Sequence, residues 1–167
     1  MNRALGLFEK VIDKLTSIGA VIGGAFTGVM TVIVGYAVVA RYLLNRPIGW
    51  SEEISTYLMV WAVFLGSAYT LKEDAHIGVD VLISRLKPKI KRIFLLFQYL
   101  VGIVFLSSLF YKGIDMVDLS LKMDSRSIAI EFPLYIAHLS IPVGSAILIL
   151  QCIHKLILLR PGRRWWK

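Results

Sequence analysis

Four stretches of this chain contain no Asp, Glu, Lys or Arg: residues 15–40, 54–71, 93–111 and 132–154, which are 26, 18, 19 and 23 residues long. Crossing a hydrocarbon core of about 30 Å at about 1.5 Å per residue takes roughly 20 apolar residues, so each stretch is long enough to span a bilayer as a helix. A lone charge at the centre of such a helix costs about 2.5–3.5 kcal/mol on the insertion scale, so four clean stretches in a row constrain the fold strongly. Composition agrees. Charged residues are 18% of the chain, against about 25% in soluble domains, and mean hydropathy is +0.71. A soluble core built from 167 residues cannot hide that much apolar surface. Disorder and a disulfide-stapled secreted fold are both excluded, the latter because Cys152 is the single cysteine.

The expected fold is therefore all-α: an integral membrane four-helix bundle forming one domain over 1–167, with spans near 17–40, 52–71, 93–111 and 132–156. The first stretch is too long for the 7–15-residue apolar core of a signal peptide and follows five charged residues, so a permanent span is expected there. The chain carries a formal net charge of +8, and its 19 Lys and Arg residues divide unevenly. Three precede the first span, six lie between the second and third, and five follow the fourth; the other two connections hold two and three. The positive-inside rule then places both termini in the cytoplasm. The basic runs Arg85, Lys87, Lys89, Lys91, Arg92 and the tail residues Arg163 and Arg164 suit anionic phospholipid headgroups. That role accounts for the positive charge without a nucleic-acid partner.

Two segments read as amphipathic helices lying in the interface. Leu5, Phe8, Val11, Ile12 and Leu15 recur at helical spacing ahead of the first span. A weaker pattern over Ile77, Val81, Leu82 and Leu86 ends at Pro88. Within the first span, Gly19 and Gly23, then Gly24 and Gly28, form two GxxxG pairs. Small residues at this spacing let helix backbones approach closely, marking a contact with another helix of this chain or of a partner.

At the start of the second span, Trp50 suits the membrane interface and Glu52 and Glu53 sit where a helix N-terminus favours negative charge. Arg41 and Arg46 lie at the same level, within reach of an ion pair. Neighbouring residues on a helix point about 100° apart and no nucleophile accompanies them, which argues against a paired acid–base site. His76 and Asp80 share a helix face, but two mixed ligands fall short of the four of a structural zinc site, and a local hydrogen bond is the favoured reading. Pro142 cannot donate to the carbonyl of His138, so a kink is expected in the fourth span.

No Asp, Glu, Lys or Arg occurs mid-span, and the paired interrupted helices of a secondary transporter's binding site are missing from the sequence. No cofactor, metal, catalytic or substrate-binding residue is assigned. The chain reads as a scaffold for another polypeptide.

The ordered run of Arg41, Trp50-Ser51-Glu52-Glu53, Trp61, Phe64-Leu65-Gly66 and His76-Ile77-Gly78-Val79-Asp80, with the later Ile141-Pro142-Val143-Gly144, resembles the small membrane subunit of tripartite ATP-independent periplasmic (TRAP) transporters. The resemblance implies a non-enzymatic subunit of a three-part system. A periplasmic binding protein would deliver an organic acid, commonly a carboxylate, to a large membrane subunit that moves it with sodium. The small subunit would be an obligate partner and stationary frame beside that large subunit. On the residues alone, two other classes stay open: a haem-bearing membrane anchor of a respiratory enzyme, and a self-contained homo-oligomeric exporter.

Overall fold

A computed structural model describes residues 2–73 and 88–159. It contains five helices: α1 (Asn2–Tyr42), α2 (Gly49–Lys72), α3 (Pro88–Lys122), α4 (Leu134–His138) and α5 (Ser140–Leu158). Four helical stretches are long and apolar enough to cross a membrane, the last of them α4 and α5 together. Between α3 and α4 the backbone forms an isolated bridge, Arg126 to Pro133.

The helices pack in the order α1, α2, α5, α3, with a lighter contact between α1 and α5. α5 is the central element. Of the residues in each apolar window, 39% are buried for α4–α5, against 11% for α1 and 6% for α3. In lipid, apolar area alone does not hold helices together, so close packing must. The glycines show where that happens. A Cβ on Gly23 would lie 3.2 Å from the Ala62 carbonyl, and one on Gly144 would overlap the Phe64 ring. A Cβ on Gly113 would come within 2.9 Å of Ile141 and Pro142. α1 thus meets α2, α2 meets α5, and α5 meets α3 at a glycine each time. Leu71, Tyr99, Cys152 and Leu159 form the apolar cluster between α2, α3 and α5.

α1 is one uninterrupted helix of 41 residues, about 60 Å long, so the N-terminal amphipathic stretch runs straight into the span. It ends before a turn in which Asn45 adopts a left-handed φ of 51° and the Arg46 N–H donates to the Ala40 carbonyl. α3 outruns its charge-free window by eleven residues, to Lys122, well into the charged stretch between the third and fourth windows. Pairs Lys112–Asp115 and Lys122–Asp118 sit at i,i+3 and i,i+4 along this extension, spacings that support a helix in water. The helical run of the last span is interrupted at Leu139, where Ser140 Oγ donates to the Ala137 carbonyl at 2.6 Å. Pro142 sits three residues further on, buried against α3. The second amphipathic segment, with His76, Asp80, Arg85 and Lys87, lies outside the described residues, as do Arg163 and Arg164.

Candidate functional site

The bundle has two polar ends, each a set of cross-ties between helices. At the turn end, where α1 meets α2 and α3 meets α4, the two consecutive carboxylates of α2 diverge. Glu52 pairs with Arg41 of α1 at 2.6 Å, both side chains more than half exposed. Glu53 faces the other way. It accepts hydrogen bonds from Ser127 Oγ at 2.5 Å and from the backbone N–H groups of Ile128 and Ala129, each at 3.2 Å. The anticipated pairing of an arginine with one of these glutamates is thus made by Arg41 and Glu52, while Arg46 and Trp50 are exposed nearby.

The segment clamped by Glu53 is closed by its own backbone. Ser127 N–H donates to Phe132 O at 2.9 Å and Leu134 N–H to Ser125 O at 3.0 Å. Asp124 and Glu131 take left-handed φ values of 42° and 53° at its two bends. Tyr57 of α2 stacks on Phe132 with ring centroids 5.7 Å apart, and Trp61 Nε1 donates to the Ile136 carbonyl. Ser120 of α3 lies 2.6 Å from His138 Nδ1 and donates to Met116 O. α2, α3, α4 and the loop therefore form one hydrogen-bonded cap. Ser120, Ser127 and Trp61 are the members that sequence reasoning gave no role; their partners are distant in sequence and no local pattern announces them.

At the basic end, Lys72 is the hub. Its Nζ donates to Ser17 Oγ of α1 at 3.1 Å and lies 3.8 Å from Asp13, while its carbonyl accepts from Lys155 of α5 at 2.7 Å. Lys91 and Arg92 are half-buried close by along α3 rather than projecting freely. Lys89 falls in α3, with its side chain outside the described set.

The two glycine pairs of α1 separate. Gly19 and Gly23 pack on Leu65, Ala62 and Gly66 of α2, whereas a Cβ on Gly24 or Gly28 would meet nothing within 4 Å. Two grooves are apolar. One of about 530 Å³ lies over α5 between α1 and α3, lined by Leu15, Phe110, Pro142 and Leu150 among others. A second of about 350 Å³ lies beneath the clamped loop, walled by Phe26, Tyr57, Trp61 and Phe132. Among the described residues, no three His, Cys, Asp or Glu side chains gather to hold a metal.

Acidic and basic side chains gathered at two ends, with apolar spans between them, define a multi-pass membrane protein. Residues 30–162 match the family profile described as "Tripartite ATP-independent periplasmic transporters, DctQ component", and the chain belongs to that family. It is 32% identical over 99 residues to the small permease protein DctQ of a C4-dicarboxylate TRAP transporter from Rhodobacter capsulatus, covering 59% of this chain and 44% of that one. The DctQ of Vibrio cholerae is 33% identical over 89 residues, 53% of this chain and 38% of that protein. These matches span less than half the length of either relative. The sialic acid small permease protein SiaQ of Vibrio cholerae is 22% identical but aligns over 91% of this chain and 85% of its own length.

Proposed function

We propose that this chain is the stationary small subunit of a TRAP transporter, pairing with a large membrane subunit that carries out sodium-coupled uptake of an organic acid. The observation that carries this reading is the division of the molecule into charge-free spans and cross-tied ends. A path for a charged solute or ion needs ionisable groups along it, and the acidic and basic side chains at the ends of this chain tie its own helices together. Family membership favours this reading over a haem-bearing anchor or a self-sufficient exporter. The organic-acid class is supported by the relatives' names, which specify C4-dicarboxylate, sialic acid and isethionate.

The partnership draws on the permease protein DctMQ of the isethionate TRAP transporter from Oleidesulfovibrio alaskensis, in which the stretch matching this chain is 17% of a much longer polypeptide. Charge distribution orients the molecule: the basic end and both termini face the cytoplasm, and the turn end faces the periplasm. The clamped loop then lies on the side from which a periplasmic binding protein delivers its solute. Gly24 and Gly28 form the face of α1 that receives a helix of the large subunit.

The test is reconstitution. Proteoliposomes holding the large subunit, the binding protein and this chain should accumulate a labelled organic acid on a sodium gradient, and omitting this chain should abolish uptake. The double variant Gly24→Leu/Gly28→Leu should copurify less with the large subunit. Undiminished uptake without this chain, or uptake by this chain alone, overturns the assignment.

A further inference from the structure

Gln151 is the largest of the fully buried side chains, with 0% of its surface exposed, and neither Oε1 nor Nε2 has a hydrogen-bond partner in the protein. Thr16 of α1 is 1% exposed and its Oγ1 is likewise unpartnered. Helix register brings the two to within about one turn of the same depth. Along α1 and α2, Gly19 faces Leu65, which levels Thr16 with Ala68. Along α2 and α5, Phe64 faces Gly144, which levels Gln151 with Leu71, one turn from Ala68. Ala68, itself buried, offers only a methyl group there. One turn nearer the basic end, His154 is buried with its Nδ1 unpartnered, and the Lys72 side chain, near Asp13, reaches back to Ser17 beside Thr16.

A carboxamide has two N–H donors and an oxygen with two acceptor sites, and a hydroxyl both donates and accepts. Buried in a bilayer-spanning bundle, such groups are costly unless they are bonded. Neither residue carries charge, and the lysine of the next layer already donates to Ser17. The ligand these groups fit is therefore small, uncharged, and able to donate and accept at once. We propose that water is bound between α1, α2 and α5, bridging Thr16 and Gln151, with His154 continuing the hydrated path to the basic end. This site is independent of the transporter assignment.

The chain has two glutamines, Gln98 and Gln151, so glutamine-selective ¹⁵N labelling in lipid nanodiscs gives two side-chain amide signals, and Gln98→Met assigns them. The Gln151 amide protons should show magnetisation transfer from water despite their complete burial. Absence of that transfer overturns the site. Thermal unfolding of Gln151→Met gives a second readout, because its sign differs between the cases. If water bridges the pair, the near-isosteric methionine strands the bridge and Thr16, and Tm falls. If Gln151 is bonded to nothing, replacing it relieves an unmet need, and an unchanged or higher Tm overturns the proposal.

Discussion

Glu52 and Glu53 differ by one position and do different work, because successive residues on a helix point about 100° apart. The Arg41–Glu52 pair is exposed, and such pairs contribute between about 0 and 1 kcal/mol. Glu53 instead meets one hydroxyl and two backbone donors, of which the backbone groups cannot be relocated without reshaping the loop. Removing a carboxylate that holds several donors typically costs about 1–3 kcal/mol. Glu53→Ala should therefore lower Tm in detergent and open residues 123–133 to limited proteolysis, while Glu52→Ala should change neither by much. Equal effects of the two substitutions would mean that the loop is held by something other than this carboxylate.

At the scale of elements, α3 is the informative helix. Its apolar window ends at Tyr111, yet its hydrogen bonding continues to Lys122. Hydrogen–deuterium exchange should accordingly find amides 113–122 protected; rapid exchange from residue 112 onward would count against the extension. Four helices long and apolar enough to span are legible in the sequence because lipid tolerates so few charges. Helix ends are less so, since a lysine marks the edge of the hydrocarbon and not the last turn of helix. The glycine pattern gave close contacts but not their direction: Gly19 and Gly23 turn toward α2 while Gly24 and Gly28 turn away. The Glu53 clamp was hidden for another reason. Its partners lie 74 to 76 residues away, and only the packing of α2 against α4 and the loop brings them together.

Taken whole, the molecule is braced at both ends. Arg41–Glu52 and the Glu53 cap tie one end, and the Lys72 hub joins α1, α2 and α5 at the other. Such bracing fits a part that stays still while a neighbour moves. Spin labels at the turn ends of α1 and α3, in the complex with the large subunit, should keep one distance distribution through sodium and substrate loading. A shift of several ångströms between states would assign motion to this chain as well.

The order of packing also bears on how the protein is made. α3 has its extensive interface with α5, which follows it in the chain, and among the described residues no comparable one with the earlier α1 and α2. While translation proceeds, α1 and α2 can form a hairpin, but α3 must wait in the bilayer unaccompanied. Joining of these spans thus waits for α5, which wedges between the α1–α2 pair and α3, and a chain truncated before Ser140 would leave a hairpin and a stray helix for the cell's membrane proteases.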